Sequence, residues 1–159
     1  SMRVGIGYDV HALLDNTGLI LAGVDIPHTQ GLKGHSDGDA LTHAIIDAVL
    51  GAASLGDIGG QFPSSNALYK NARSLDLLKT VVSKLHDKGW RVGNVDATIV
   101  AQRPTLAGYT SQMAINLASA MGVKTSQINV KATTTDGLGF AGMEEGLAAY
   151  AIALLEEQQ

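Results

Sequence analysis

Apolar residues recur at every third or fourth position in three stretches of the chain, and this spacing predicts three helices. The stretches are residues 39–52, 74–88 and 110–121. Gly89 and Gly122 follow the second and third stretches, and glycine is the residue that most often ends a helix. The pattern therefore fixes three helices and two of their ends.

Other stretches read as strands. Residues 2–8, 19–24, 92–101 and 128–135 combine apolar and β-branched residues and end at turn signals such as Pro27, Pro104 and Asp136-Gly137. The tail, residues 146–155, is apolar almost throughout, which fits either an alanine-rich helix or a strand buried on both faces. Because strands and helices alternate, we expect an α/β or α+β fold with a single sheet covered by helices.

Two potential metal ligands follow the first strand. Asp9 and His11 are two residues apart, so they share one face if the strand continues. Gly5 and Gly7 lie on that face too and leave it uncrowded. We expect the opposite face to pack into the core, and its residues are Val4, Ile6 and Tyr8.

A third potential ligand, His43, lies in the first predicted helix. Ser36 is the expected N-cap, with Asp39 three residues later. Asp39, His43 and Asp47 form a polar stripe apart from the apolar one. Two imidazoles and a carboxylate suit zinc, and three protein ligands leave one position for water or substrate. Alternatively, His43 only makes hydrogen bonds inside a packed core.

Four loops carry further candidate chemistry. His35-Ser36 precedes a helix, where backbone N–H groups favour phosphate. Asp57, between glycines, can receive polyol hydroxyls or simply stop the helix. Residues 102–104 can form a shelf for a base or phosphate, or an ordinary strand exit. Residues 133–136 offer three hydroxyls and a carboxylate for phosphate and Mg²⁺, or a plain turn. Together these parts suggest a diphosphate handled with two metals.

The amino-acid composition limits the number of domains and the classes of function that the chain can have. A chain of 159 residues predicts one domain, spanning 1–159, and a net charge of −4 without a basic patch excludes nucleic-acid binding. With no cysteine, any metal must use nitrogen and oxygen ligands. No apolar stretch is long enough to span a membrane. No export leader opens the sequence, so we expect a cytoplasmic protein.

Five motifs, in this order, resemble a known family. They are GYDVH at 7–11, GHSDGD at 34–39, LGDIG at 55–59, GNVD at 93–96 and VKATTT at 130–135. The chain resembles the 2-C-methyl-D-erythritol 2,4-cyclodiphosphate synthase family of the non-mevalonate isoprenoid pathway, from Arg3 to Leu155. The resemblance implies an α+β sandwich, a strand in the tail, and a homotrimer with active sites between subunits.

The resemblance also implies roles for individual residues. Asp9, His11 and His43 would hold Zn²⁺ or another divalent ion. His35 and Thr134 would stabilise the transition state, and Asp136 would bind Mg²⁺ or Mn²⁺ with the substrate diphosphate. Residues 57–59 and 62–66 would bind the methylerythritol part, residues 101–107 the cytosine and residues 133–136 the phosphates. The implied substrate-binding positions are Asp9, Val10, His11, His35, Ser36, Asp57, Ile58, Gly59, Phe62, Pro63, Ser64, Ser65, Asn66, Ala101, Gln102, Arg103, Pro104, Thr105, Leu106, Ala107, Thr133, Thr134, Thr135, Asp136, Phe140 and Met143.

The implied reaction is that of a phosphorus–oxygen lyase. The 2-phosphate of 4-diphosphocytidyl-2-C-methyl-D-erythritol 2-phosphate attacks the β-phosphorus, and CMP leaves as the cyclodiphosphate forms. Two alternatives stay open at this point. One is a zinc-dependent phosphoesterase that uses the fourth zinc position for hydroxide. The other is a non-catalytic trimeric binding module with a structural metal.

Several positions depart from the usual family pattern. Ser64 and Asn66 stand where the family often has aspartates, Thr105 where it commonly has lysine, and Asp136 where it often has glutamate. In the family an arginine lies near the channel on the threefold axis, and here Met143, followed by the additional Glu144, stands in its place. We therefore predict weak anion binding on that axis.

Overall fold

A five-stranded mixed sheet organises the molecule. The structure is a computed structural model that describes residues 1–34 and 37–159. The strands are β1 (Met2–Asp15), β2 (Leu19–Leu21), β3 (Val24–Ile26), β4 (Gln30–Leu32), β5 (Trp90–Val100), β6 (Ile128–Thr133) and β7 (Gly146–Glu157). The sheet order is β4-β1-β7-β5-β6, with β5 and β6 parallel and the other neighbours antiparallel. The α+β prediction is confirmed.

The main helices cover one face of the sheet. The helices are α1 (Ala40–Ala52), α2 (Ile58–Gln61), α3 (Ser74–Asp87), α4 (Thr110–Met121) and α5 (Gly139–Gly142), with 3₁₀ turns at Ala67–Tyr69 and Thr125–Gln127. α1 packs on β1 and β7, α4 packs beside β6, and α3 contacts both α1 and α4. The core lies between this layer and the sheet.

The three long helices match the predicted segments, but the start of α1 does not. Asp39 is its N-cap, and the Asp39 carboxylate accepts the Thr42 N–H at 3.0 Å. The predicted cap, Ser36, lies outside the described residues. At the C-terminal end of α4, Gly122 has a φ of 68°, as expected of a residue that ends a helix.

The strand predicted at 19–24 begins at Leu19 as expected but ends at Leu21, and it pairs with β3 in a two-stranded ribbon outside the main sheet. Ala22 and Gly23 both have positive φ, 48° and 71°, which gives the two-residue turn of a tight hairpin. β1 runs on past the predicted end at residue 8 to Asp15 and pairs there with β4. The tail is a strand, β7, paired on both sides.

The predicted orientation of β1 is also wrong. Its glycine face points to α1: a Cβ on Gly5 would lie 2.0 Å from the Ala48 carbonyl oxygen, and one on Gly7 would lie 1.7 Å from that of Ala44. Only glycine allows the backbones of the strand and helix to approach so closely. Asp9 and His11, on the same face, are therefore directed toward α1.

The other face of the sheet is bare and apolar in the isolated chain. Ile6 is 69% exposed and Tyr8 is 45% exposed, and the ring of Tyr8 lies 4.9 Å from that of Tyr150. We call this surface the bare sheet face. Its exposed apolar residues are Met2, Val4, Ile6, Tyr8, Val10, Tyr150 and Ile152. Contiguous exposed apolar patches commonly mark an interface.

Candidate metal and substrate site

Three ligand atoms from β1 and α1 converge beside the sheet. The Asp9 Oδ2 atom lies 2.7 Å from His11 Nε2 and 3.1 Å from His43 Nδ1, and the two imidazole nitrogens are 3.3 Å apart. The glycine face of β1 makes this meeting possible, because it lets α1 carry His43 up to the strand. Among the described residues, these three form a group able to hold a metal ion.

Hydrogen bonds on the outer nitrogens of the two imidazoles turn the inner nitrogens toward Asp9. The Nδ1–H group of His11 donates to the Lys33 carbonyl oxygen at 2.5 Å. The Nε2 atom of His43 and the Ser74 hydroxyl form a hydrogen bond of 2.8 Å. When the His11 ring is neutral, its Nε2 atom carries the lone pair, and this atom faces the Asp9 carboxylate.

Burial and the close approach of the three side chains shift the pKa values of Asp9 and His11. Burial opposes the charge of Asp9, but hydrogen bonds and charge interactions with His11 and His43 outweigh it and lower the pKa of Asp9 to about 2. Burial also opposes protonation of His11, but Asp9 outweighs that effect and raises the pKa of His11 above its usual value. A carboxylate and two imidazoles at this spacing fit the donor set of a zinc ion.

The predicted polyol loop meets the metal ligands in one cavity. The cavity has a volume of about 350 Å³ and is lined by His11, His43, Ile58, Gly59, Phe62, Pro63, Ser64, Ser65, Tyr69 and Leu77. The exposed Asp57 carboxylate caps α2 by accepting the Gly60 N–H at 2.8 Å. One turn after His43 on α1, Asp47 accepts the Ile58 N–H at 2.7 Å, which ties the loop to the helix that carries the metal ligand.

The predicted cytosine and phosphate segments meet in a second cavity, of about 130 Å³. Its lining residues are Ala101, Gln102, Pro104, Thr105, Leu106, Ala107, Ala132, Thr133 and Thr134. The Gln102 side chain accepts the Gly137 N–H at 3.0 Å and so joins the two segments. Within the described residues, Thr134 Oγ1 contacts Asp136 Oδ1 at 3.4 Å, and Asp136 adopts a positive φ of 53° at the turn.

Other predicted site residues lie apart from these cavities. Val10 points to the bare sheet face, opposite Asp9 and His11, so its side chain does not face the metal ligands. Asn66 caps the first 3₁₀ turn, accepting the Leu68 N–H at 3.0 Å. Phe140 lines a third cavity of about 200 Å³, and Met143 is 66% exposed. His35 and Ser36 lie outside the described residues.

Four residues around the site escaped the sequence reasoning. Tyr69 and Leu77 line the first cavity, while Ser74 and Asp37 lie behind His43. No spacing rule connects Ser74 with His43, because they are 31 positions apart on different helices. Of the four, only Asp37 falls inside one of the family motifs.

Within the part of the chain that is described, no helix is long and apolar enough to cross a lipid bilayer.

Known proteins match this chain over nearly its full length. The YgbB family profile matches residues 2–156. The 2-C-methyl-D-erythritol 2,4-cyclodiphosphate synthase of Syntrophomonas wolfei is 56% identical over 98% of this chain and 99% of its own length. The enzyme of the same name from Alkaliphilus oremlandii is 57% identical over 96% of this chain and 97% of its own length.

Solved structures show the same fold. The CDP complex of IspF from Plasmodium falciparum superposes with a TM-score of 0.87 at 31% identity, over 100% of this chain and 98% of that one. The bifunctional IspDF of Campylobacter jejuni gives a TM-score of 0.95 at 44% identity over 99% of this chain. The present chain spans 42% of that bifunctional protein.

Proposed function

This chain belongs to the YgbB family, in which its curated relatives are 2-C-methyl-D-erythritol 2,4-cyclodiphosphate synthases, and we propose that it forms this cyclodiphosphate from 4-diphosphocytidyl-2-C-methyl-D-erythritol 2-phosphate with release of CMP. The observation that carries the proposal is the meeting of Asp9, His11 and His43 beside a cavity lined by the 58–65 segment. We further propose that residues 1–159 act as one domain.

The chemistry asks the protein for positioning more than for a strong base. The attacking 2-phosphate belongs to the substrate itself, so holding it in line with the β-phosphorus supplies most of the advantage. A divalent ion held by Asp9, His11 and His43 would supply Lewis-acid neutralisation of the diphosphate charge. Thr134 donates a hydrogen bond to the phosphoryl oxygens, and His35 is assigned the same role.

The first cavity suits the methylerythritol part of the substrate. Asp57 is exposed at its rim and offers one carboxylate oxygen to hydroxyl groups while the other caps α2. Ile58 and Gly59 lie against the metal ligands in the same cavity. Ser64 offers a hydroxyl where the family often has a carboxylate, and Ser65 adds a second hydroxyl to the same cavity, so recognition of the polyol here uses neutral hydrogen bonds.

The second cavity suits the cytidine and its phosphates. Four of its lining residues, Ala101, Pro104, Leu106 and Ala107, are small or apolar, and the Gln102 side chain is engaged by the Gly137 N–H, so backbone groups are left to recognise the cytosine edge. Thr133 and Thr134 place hydroxyls at the same cavity. Asp136, exposed at the following turn, would share Mg²⁺ or Mn²⁺ with the diphosphate, since Mg²⁺ usually combines few protein ligands with phosphate oxygens.

We propose a homotrimer in which each active site lies between two subunits. The bare sheet face supports it, because a monomer would leave Val4, Ile6 and Ile152 more than half exposed. The two substrate cavities of one chain are separate, and a neighbouring subunit would complete the path between them. Association of this face would also bury the paired rings of Tyr8 and Tyr150.

Phosphorus NMR of the protein incubated with zinc, Mg²⁺ and the cytidyl substrate tests the function. The expected result is equal amounts of CMP and cyclodiphosphate, lost when a chelator strips the metal. CMP with a linear bisphosphate would identify a phosphoesterase. Binding of the substrate without any CMP would identify a binding module, and either result would refute the proposal.

A further inference from the structure

A buried serine joins the metal ligand His43 to an aspartate. Ser74, the first residue of α3, is 0% exposed. Its Oγ atom lies 2.8 Å from His43 Nε2 and 2.5 Å from Asp37 Oδ1. Asp37 also accepts the Ser74 backbone N–H through Oδ2 at 3.0 Å. The serine is thus held by both its backbone and its side chain.

The number of protons on each group fixes the direction of the hydrogen bonds that connect His43, Ser74 and Asp37. The Ser74 hydroxyl has a single proton, and this proton is donated to Asp37 Oδ1. The Ser74 oxygen is then left as an acceptor, and the proton between it and His43 must come from the ring. His43 therefore carries a proton on Nε2, and Nδ1 is the nitrogen directed to Asp9 and His11.

Asp37 is itself fixed by three backbone and side-chain donors. Besides the two groups of Ser74, its Oδ1 atom accepts the Asp39 N–H at 3.1 Å. Among the described residues, Arg73 caps α3 without a side-chain hydrogen bond, so Asp37 takes over that role from another segment of the chain. A carboxylate is favourable at this position, near the positive end of the helix dipole.

We propose that Ser74 and Asp37 are positioning residues of the metal site, which set metal affinity by fixing the orientation and tautomer of His43. The inference rests on the metal centre of the proposed function. Such outer partners of a ligating histidine typically contribute 10- to 100-fold in metal affinity. Among the described residues, the hydrogen bonds of Ser74 and Asp37 reach the metal ligands through His43, so we expect the effect to pass through that ring.

The test is zinc affinity of the full-length protein, measured by competition with a chromophoric chelator. Ser74→Ala should weaken zinc binding at least tenfold. Ser83→Ala, the same change at an exposed position of the same helix, should leave it within twofold. A loss smaller than tenfold in Ser74→Ala overturns the proposal. A purely structural role would lower the melting temperature of the metal-free variant but leave the affinity of its folded fraction unchanged.

Nitrogen-15 NMR of the wild-type His43 ring provides a second, independent readout that needs no variant to fold. In metal-free protein at alkaline pH, the proposal expects the proton on Nε2 and an unprotonated Nδ1. A proton on Nδ1 instead overturns it. A wild type that binds no zinc would refute the proposed metal centre, whereas this ring measurement would still decide the role of Ser74 and Asp37.

Discussion

Replacing Gly7 with alanine inserts a methyl group where β1 touches α1. The new Cβ would lie 1.7 Å from the Ala44 carbonyl oxygen and 2.9 Å from the Ala48 nitrogen, whereas ordinary contacts begin near 3.4 Å. Both obstacles are backbone atoms of a buried helix, so no side-chain rotation relieves them. Strand and helix must separate locally by about 1.7 Å to restore an ordinary contact, which costs about 3 kcal/mol, the upper end of the usual range for overpacking.

That separation acts directly on the metal site. His43 precedes Ala44 on α1, and Asp9 follows Gly7 by two residues on β1, so the ligands move apart with their elements. Metal–ligand distances tolerate only about 0.2 Å. We expect Gly7→Ala to lower the melting temperature by about 10 °C and the zinc affinity by more than about 100-fold, beyond the loss of an outer partner.

The assays are thermal unfolding of the metal-free protein and zinc titration against a chelator. Gly51→Ala is the matched control, because a Cβ there meets nothing within 4 Å and the residue lies within α1. It should gain stability of up to about 1 kcal/mol, as alanine is the better helix former, and should keep its zinc affinity. Wild-type affinity and stability in Gly7→Ala would refute the close-approach explanation.

Four further predictions follow from individual side chains. His43→Ala should abolish zinc binding and turnover together, and a variant that keeps both would reject the ligand assignment. Ile6→Asp, on the bare sheet face, should turn a trimer into monomers in light scattering; an unchanged trimer would place the interface elsewhere. Burial lowers the pKa of His11 but Asp9 raises it further, so zinc binding near pH 6 should displace the proton that His11 carries, seen as acid release in weakly buffered solution, and no acid release would contradict the raised pKa. Burial raises the pKa of Asp39, so the stability that its protonated form contributes is full below about pH 4 and is lost as the pH rises through its folded-state pKa. In urea unfolding, the free energy of unfolding of Asp39→Asn should therefore increase relative to that of the wild type as the pH rises. A difference that stays constant with pH would contradict the shift.

Periodicity predicted the elements whose environment is simple. α4 begins and ends where its apolar spacing and Gly122 indicate, since a surface helix packs only one face. The tail could not be assigned from its pattern, because a strand paired on both sides and an alanine-rich helix are equally apolar. Resemblance to the family resolved it.

The errors came from contacts that no local pattern records. β1 was expected to bury Val4 and Ile6, yet it buries its glycines, because α1 approaches to within backbone contact and only the glycine face admits it. The candidate metal ligands could be predicted because Asp9 and His11 share a strand face and His43 lies on the polar stripe of a helix. Ser74 was missed because its contact with His43 depends on tertiary packing of α3 beside α1.

Anomalous diffraction at the zinc edge, from crystals grown with zinc and the cytidyl substrate, tests the central claim most directly. The account predicts one zinc peak about 2.0–2.2 Å from Asp9 Oδ2, His11 Nε2 and His43 Nδ1, with a phosphate oxygen as the fourth ligand. A zinc ion bound elsewhere, or a protein side chain in that fourth position, would contradict it.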